Sequence, residues 1–408
     1  MKGKINKALK VFIILNTICS LLTVTNFSKA SDSNFNNEIL SGDMTIQSMS
    51  NSPTTRGTVY PNISVISERT YYIKNMLTGL YLDVQGGVAA NGTNVWQYKF
   101  NGTQSQQWYL HSFGDGTYSI YTPLGNDGTY RYALDISNGS GENYANVQIY
   151  TPNGSDAQRF SIADTNFDTF VFFTKCSNFD KAIVLNGPTC AEGGNIDQYT
   201  YQGHYNEAWL LEPVNQDVEL GIRYATFNDE NYNPAYPNLT TFNGRTADCA
   251  NFTSQCLSAS GIHYDGDWKI YRKNFNTYQP TTVAELDNTW ELCQPRTSPW
   301  ISAKEFGDYW RKKATTKSYT IEQILKNPDI VFQTGIAPGD VIQIADNNLG
   351  FLGESSHTMY VTGKNTYNGK SSFSLTYHSN SQENKNLLLI CQEYKNAGRN
   401  DYIVFFRI

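Results

Sequence analysis

The chain has 408 residues and a formal net charge of −6, with 14% aromatic and only 17% charged residues. This length allows two or three domains, each with its own core. A composition rich in aromatics and poor in charge is typical of domains built from strands and turns. The acidic balance argues against nucleic-acid binding, which needs a basic surface, and the sequence has no glycine-rich phosphate loop.

Residues 1–30 are predicted to be a signal peptide. Lysines at positions 2, 4, 7 and 10 precede an apolar run over 11–24, and the small residues Ser28 and Ala30 follow at the cleavage positions. The run is too short for a comfortable membrane span. We expect a secreted protein, extracellular or associated with the cell wall, that has no membrane span after cleavage. Residues 31–64, rich in serine, asparagine and threonine, are predicted to form a disordered polar leader.

A pattern recurs three times over residues 65–214. Its copies start at Leu82-Asp83-Val84, Leu134-Asp135-Ile136 and Leu185-Asn186-Gly187, and they close on Trp108, Phe160 and Trp209. Repeats of about fifty residues cannot bury a core singly, but three of them can do so around a threefold axis. The closing residue of each repeat is therefore predicted to lie in the shared hydrophobic core.

This stretch resembles the ricin-type lectin β-trefoil, whose repeat ends in a Gln-x-Trp box. The resemblance implies an all-β fold of three repeats and carbohydrate binding. It assigns sugar contact to Asp83, Tyr98 and Gln106 in the first repeat, to Asp135, Gln148, Tyr150 and Gln158 in the second, and to Asn186, Asp197, Tyr199 and Asn206 in the third. Carboxylates accept hydrogen bonds from sugar hydroxyls, and aromatic rings pack on the apolar side of a sugar.

The repeats depart from the family pattern at several positions: Trp96 and Ser105 in the first, Ala157 in the second, and Asn186 and Glu207 in the third. The second repeat keeps Asp135, Gln148 and Tyr150, so we expect the strongest sugar site there. For the glutamines of the boxes we favour the alternative that they satisfy backbone groups inside the trefoil. Cys176 and Cys190 both lie in the third repeat and could form a disulfide.

After a linker at 215–221, residues 222–408 are predicted to form an α+β domain. A helical segment is expected to start at 222, helices are expected at 301–314 and 319–327, and strands with a period of two at 341–344, 357–362, 373–378 and 402–408. Helices followed by antiparallel strands are typical of α+β folds.

The stretch that starts at Asp248-Cys249 and ends at Gly261 is predicted to be a helix with an N-terminal cap at Asp248 and a left-handed stop at the glycine. At the first helical position, Cys249 would feel the positive end of the helix dipole, which favours a thiolate nucleophile and an oxyanion site. The alternative is an ordinary buried or disulfide-bonded cysteine.

Two other roles for Cys249 fail on spacing. Cys249, Cys256 and His263 do not have the spacing of zinc ligands, so we expect no metal and no cofactor. A bond from Cys249 to Cys256 would have to span about 10 Å along the helix, too far for a disulfide. We expect Cys256 to face the core or to pair with Cys293 or Cys391.

The second domain also contains histidines at the positions that a cysteine hydrolase needs. His357 begins one predicted strand, and His378 ends the next. An imidazole can take the thiol proton when a third group orients it. We predict the triad Cys249, His357 and His378, with His378 facing His357 across the sheet, and Asn380 as the alternative third member. Taken singly, either histidine could instead be structural.

This half resembles the amidase domain family of secreted bacterial proteins, within the papain-like class that includes the NlpC/P60 and CHAP cell-wall hydrolases. The match rests on Asp248-Cys249 through Cys256-Leu257, Gly339-Asp340-Val341-Ile342, His357, and Tyr377-His378-Ser379-Asn380, with Ala250 and Thr253 as mild departures. It implies an N-terminal catalytic helix, an antiparallel sheet, and hydrolysis of amide bonds, with peptidoglycan as the favoured substrate. Two alternatives stay open: a glycan-binding adhesin or toxin component with an inactive amidase-like domain, or a peptidase acting on host glycoproteins.

Overall fold

The computed structural model describes residues 67–125, 130–164, 169–187, 189–240, 248–274, 280–293, 298–378 and 382–408. The predicted signal peptide and leader therefore lie outside the described residues, as does Asn380. Within the described ranges, none of the helices has the length and apolar character needed to span a membrane.

Twelve strands, four in each repeat, make up the first half of the described chain. They are β1 (Arg69–Asn75), β2 (Tyr81–Val84), β3 (Thr93–Tyr98), β4 (Gln107–Ser112), β5 (Tyr118–Thr122), β6 (Tyr132–Ile136), β7 (Ala145–Tyr150), β8 (Phe160–Asp164), β9 (Phe170–Thr174), β10 (Lys181–Leu185), β11 (Ile196–Thr200) and β12 (Trp209–Pro213). They join in one antiparallel sheet that closes where β1 pairs with both β4 and β12. The predicted β-trefoil is confirmed.

The closing residues of the three repeats lie in the trefoil core. Trp108, Phe160 and Trp209 are completely buried in one hydrophobic cluster. The indole N–H of Trp108 donates to the Leu82 carbonyl at 3.0 Å, and that of Trp209 donates to the Ile183 carbonyl at 3.4 Å. A buried indole needs such a partner, so each tryptophan also fixes the position of the strand that accepts its hydrogen bond.

In its described ranges, the second half combines six α-helices with eight strands. The helices are α1 (Val218–Phe227), α2 (Cys249–Ala259), α3 (Val283–Thr289), α4 (Ala303–Trp310), α5 (Ile321–Lys326) and α6 (Leu387–Asn396). The strands are β13 (Ile270–Arg272), β14 (Trp290–Leu292), β15 (Thr315–Thr320), β16 (Val341–Asn348), β17 (Phe351–Tyr367), β18 (Lys370–Tyr377), β19 (Gln382–Asn386) and β20 (Tyr402–Arg407). The β13–β14 hairpin stands apart from a six-stranded antiparallel sheet of order β15-β20-β16-β17-β18-β19.

Alternation along the central strands places helices on both faces of this sheet. Val341 and Tyr360 pack with the apolar side of α2, whereas Ile342 and Met359 pack with α5 and α6. The four predicted strands are present, and sheet with helices confirms the α+β expectation. Helix α1 begins inside the predicted linker because Asp217 caps it, accepting from the Glu219 N–H at 2.9 Å.

Two predicted helices are shorter than expected. Strand β15 occupies the start of the predicted 319–327 helix, and a capping box between Thr320 and Gln323 starts α5 at Ile321. Of the predicted 301–314 helix, α4 forms the middle, because Ser302 caps it and its α-helical part ends at Trp310. Gly261 follows the end of α2 with φ +88°, as predicted.

A buried charged cluster joins the trefoil to the second half. The Lys74 ammonium on β1 forms an ion pair with Glu212 on β12, and its other two donors reach the hydroxyls of Tyr236 at 3.1 Å and Tyr264 at 3.0 Å. Burial alone would lower the pKa of Lys74, but Glu212 and Tyr236 outweigh it and leave the pKa raised. Glu212 also accepts from the Ser258 hydroxyl on α2 at 2.7 Å. The trefoil therefore holds the far end of the helix that begins at Cys249.

Candidate functional site

Cys249 is the first residue of α2 and is only 6% exposed. Burial raises the pKa of its thiol, although hydrogen bonds from the N–H groups of Thr358 and Ala250 act in the opposite direction. The expected thiolate is therefore not the resting form: loss of solvent outweighs the helix terminus. The two N–H groups do make the sulfur's surroundings a place where a developing oxyanion could be held.

Asp248 occupies the cap position, but its side chain makes no capping hydrogen bond to the helix backbone. One carboxylate oxygen accepts from the Asn251 amide at 2.9 Å and from the Leu239 N–H at 3.1 Å. The other lies 2.6 Å from Nδ1 of His378. The predicted cap is wrong because these stronger partners draw the carboxylate away from the N–H groups of the first turn.

His378 is buried against the start of α2. Its Nδ1 contacts Asp248, and its Nε2 lies 2.7 Å from the Asn228 carbonyl oxygen. The ring is 1% exposed and stacks on Phe252 with the centroids 4.0 Å apart. A carboxylate and a carbonyl both accept hydrogen bonds, and together they hold the ring at its two nitrogens. Both the hydrogen bond to Asp248 and the stacking on Phe252 therefore hold His378 against α2.

The expected contact between His378 and His357 is wrong, and the reason is register. Tyr360 pairs with Thr376 across β17 and β18. Counting two residues along each strand puts Thr358 opposite His378, and residues directly opposite share a face. His357 is offset by one residue and therefore belongs to the other face of the sheet.

His357 lies against the ring of Tyr377, edge to face, with the centroids 4.6 Å apart. Burial lowers its pKa to about 4, and the Lys385 charge acts in the same direction, so the imidazole is neutral at neutral pH. Within the part of the chain that is described, no hydrogen bond joins it to the Cys249 sulfur. Its Cα is, however, only two covalent bonds, about 2.4 Å, from the Thr358 nitrogen that approaches this sulfur.

The cysteines do not pair in the described ranges, where all six are free thiols. The disulfides considered for Cys176 with Cys190, and for Cys256 with Cys293 or Cys391, are thus not formed. Cys256 is completely buried in the core, which was the other alternative. Among the described residues, no cluster of histidine, cysteine and carboxylate side chains could hold a metal ion.

In the second trefoil repeat, the predicted residues converge on an open depression of ≈ 550 Å³. The amides of Gln148 and Gln158 donate to the two oxygens of Asp135 at 2.9 and 3.0 Å. Tyr150 lines the depression and is 38% exposed. Gln158 also bonds the turn backbone through Asn153 N, so it combines the structural role with a contact to the acid. Burial raises the pKa of Asp135.

The first repeat reaches a similar arrangement with different residues. Trp96 donates its indole N–H to Asp83 at 2.9 Å, which is the bond that the glutamine makes in the second repeat. The same indole stacks on Tyr98, with the ring centroids 5.6 Å apart. Gln106 bonds the turn before it, accepting from Asn101 N and donating to the Lys99 carbonyl. Its side chain also hydrogen-bonds Asp83, which acts against the effect of burial on the pKa of that carboxyl, so Gln106, like Gln158, combines the structural role with a contact to the acid.

The third repeat requires a correction. The sequence pattern puts Asn186 at the position of the acid, but strand pairing puts Val184 there: it lies opposite Asp197, as Asp83 lies opposite Trp96. The sequence itself indicates this alignment, because Val184 precedes Trp209 by the same interval that separates Asp83 from Trp108. In the third repeat the carboxylate is instead that of Asp197, on the neighbouring strand.

A polar pocket of ≈ 240 Å³ nevertheless forms in the third repeat. Asn186 donates to Asp197, and Tyr199 and Asn206 line the same pocket. The Asn206 amide is also bonded to a strand carbonyl. Tyr144, which sequence comparison missed, enters this pocket from the second repeat.

The fold and these sites define a lectin-type trefoil joined to an α+β domain with a cysteine at a helix start. Family models agree: the ricin-type β-trefoil lectin domain-like family matches residues 62–127 and 123–199, and the family described as "Putative amidase domain" matches residues 215–400. The chain therefore carries a ricin-type β-trefoil region followed by a domain of that amidase family.

Among solved structures, the designed threefold-symmetric protein ThreeFoil is 31% identical over 35% of this chain and 96% of its own, with a TM-score of 0.33. An exo-β-1,3-galactanase from Clostridium thermocellum is 29% identical over 37% of this chain, with a TM-score of 0.34, and the match spans 31% of its length. The Rhizoctonia solani agglutinin is 24% identical over 37% of this chain and 97% of its own, with a TM-score of 0.31. None of the curated proteins matches the chain.

Proposed function

We propose that the protein is a secreted, glycan-binding cysteine amidase that hydrolyses amide bonds in peptidoglycan. Cys249 is the nucleophile and His357 its base; because the strand register places the His357 ring on the other face of the sheet, this assignment requires the ring to move to the sulfur before proton transfer. The observation that carries the proposal is the position of the Cys249 sulfur at the start of α2, against the N–H of Thr358, the residue that follows the neutral His357. The amidase family match supports the same reaction class.

The chemistry follows from a sulfur that rests as a thiol. As Cys249 attacks the carbonyl carbon, its proton passes to the neutral imidazole of His357, which hands it to the leaving amine when the C–N bond breaks. The thioester then takes up water, with His357 again accepting a proton, and the acid and the free thiol are released. The N–H groups of Ala250 and Thr358 are the candidate donors to the oxyanion.

His378 supports this chemistry from the nucleophile side. Because both of its ring nitrogens are bonded to Asp248 and Asn228, it anchors the residue before Cys249 and does not orient His357. The trefoil contributes in a different way: a lectin that holds a polymer keeps scissile amides near the active site at a raised local concentration.

The test compares Cys249→Ser and His357→Ala with the parent on purified cell walls, measuring released amines. We expect both variants to lose activity by at least about a thousandfold, since nucleophile and base act as a unit. Cys190→Ser, which changes a free cysteine in the trefoil, is the matched control and should keep full activity. Variants that release amines as fast as the parent would refute the mechanism.

One observation favours a second candidate, a glycan-binding protein with an inactive amidase-like domain. The Cys249 thiol is buried, its pKa is raised, and its hydrogen bonds come from Thr358 and Ala250. This alternative requires glycan binding without amine release, together with a Cys249 that resists iodoacetamide. Labelling of Cys249 that proceeds alongside hydrolysis excludes it.

A further inference from the structure

Three equivalent turns, one in each trefoil repeat, lead into the outer strand of each sugar site. Gly92, Tyr144 and Gly193 occupy the same place in them. Each donates its N–H to a strand carbonyl of the next repeat, at 2.9, 2.8 and 2.8 Å respectively. Each turn therefore lies beside the sugar site of the repeat that follows, and the third returns to the first.

All three positions have left-handed backbone conformations, with φ values of +81°, +64° and +82°. Glycine adopts this region freely, whereas a tyrosine there is strained by its Cβ. The second repeat thus places a bulky aromatic residue where the other two repeats have glycine. Strain of this kind is kept only where something offsets it, which directs attention to what the Tyr144 side chain contacts.

The Tyr144 ring projects into the third-repeat pocket. It is 65% exposed, and its centroid lies 5.0 Å from that of Tyr199 at an interplanar angle of 60°. Both rings line the pocket that contains Asp197 and Asn186. A hydrogen bond with Tyr199 raises the pKa of the Tyr144 hydroxyl, so the two phenols are already joined.

The other two sites do not receive such a ring from their neighbour. A Cβ built on Gly193 would lie 3.5 Å from the ring of Trp96, and one on Gly92 would lie 3.9 Å from the Gln148 oxygen. At the first and second sites, the space beside the glycine is therefore taken by a side chain of the site itself, Trp96 or Gln148. Only at the third site, among these three, does the preceding repeat supply an aromatic wall.

We propose that Tyr144 and Tyr199 form a two-ring clamp for a hexopyranose of an oligosaccharide at the third-repeat site, with the Asp197 carboxylate accepting its hydroxyls. This inference rests on the proposed glycan binding and deepens it. The two tilted rings offer the apolar face of a sugar more surface than the single Tyr150 of the second repeat. The third site therefore differs from the second in affinity and in sugar preference. Its carboxylate also lies on the other strand of the pair.

The test is calorimetric titration of the full chain with lactose and with N,N′-diacetylchitobiose. Tyr144→Gly copies the other two repeats, so the protein should fold with a thermal midpoint at or above that of the parent, since strain is relieved. We expect it to lose about tenfold in affinity at one class of sites. Tyr144→Phe keeps the ring and should stay within about threefold of the parent.

The outcomes are distinguishable. A Tyr144→Gly isotherm that superimposes on the parent's overturns the clamp while leaving glycan binding intact. A fall in its thermal midpoint also overturns it, because the ring would then serve the fold. A parent protein that binds neither disaccharide, nor any glycan on an array, overturns the proposed glycan binding and the clamp with it.

Discussion

The two halves of the molecule expose their candidate sites very differently. In the trefoil, Tyr144 and Tyr150 lie open to solvent, whereas Cys249 and His378 in the second half are almost fully buried. An open site built on a repeated scaffold tolerates exchange, as where Trp96 makes the hydrogen bond that a glutamine makes one repeat later. In a buried site most polar groups are paired with one another, so a change that removes one partner leaves the other group unpaired.

The largest effect should come from breaking the buried cluster between the halves. Glu212→Ala leaves the Lys74 ammonium in the interior without its counter-ion, and we expect the free energy of unfolding to fall by about 3–5 kcal/mol. Asp115→Ala, which breaks the exposed pair with Arg159, should cost about 1 kcal/mol or less. Urea unfolding measures both, and equal losses would show that the cluster is no more important than a surface pair.

Removing the contact that anchors the start of α2 should have a smaller effect on stability. His378→Gln removes the buried imidazole partner of Asp248, while the contacts of that carboxylate with Asn251 and Leu239 remain, so we expect a loss of about 2–3 kcal/mol. His263→Gln, whose ring bonds a single carbonyl, is the matched control.

A double-mutant cycle with Asp248→Asn measures the His378–Asp248 coupling directly. We expect a coupling energy of at least about 1 kcal/mol, because both groups are buried and in contact. Hydrolysis should slow in His378→Gln with little change in KM, since the change affects the nucleophile and not the glycan site. Additive single effects would contradict the proposed anchoring role.

The last prediction concerns pH. The pKa of His357 is lowered from 6.5 to about 4 in the folded chain, so the folded state binds fewer protons than the unfolded state between these values. Its contribution to stability is present above pH 6.5 and is lost as the pH falls toward 4, an effect of about 2 kcal/mol. The parent should lose that much more stability than His357→Gln between pH 7 and pH 4.5 in urea unfolding. Parallel losses in the two proteins would contradict the burial of this imidazole.

Sequence reasoning predicted features that depend on local pattern. The closing residues Trp108, Phe160 and Trp209 were predictable from their spacing. The helix that starts at Cys249 was predictable from the residue types at its start and from Gly261 just after its end. It failed where two strands or two repeats must be aligned. A one-residue offset between β17 and β18 puts His357 and His378 on opposite faces of the sheet. The sequence of neither strand determines this register by itself.

Two other misses have different causes. Asp248 is a residue type that commonly caps helices, but its carboxylate contacts His378, which is distant in the sequence. Long-range pairing of this kind leaves no signal in the local sequence. Tyr144, in contrast, could have been noticed, since it stands where the other repeats have glycine. A bulky residue at a glycine position is a sequence signal, provided that the repeats are aligned on their turns as well as on their closing residues.

Mass spectrometry of peptidoglycan digested by the full-length protein tests the central claim most directly. The account predicts fragments in which one water has been added across an amide bond, exposing a new amine and a new carboxylate on intact glycan strands, with the same fragments missing from the Cys249→Ser digest. Fragments with new reducing sugar ends, or identical digests from the parent and Cys249→Ser, would contradict it.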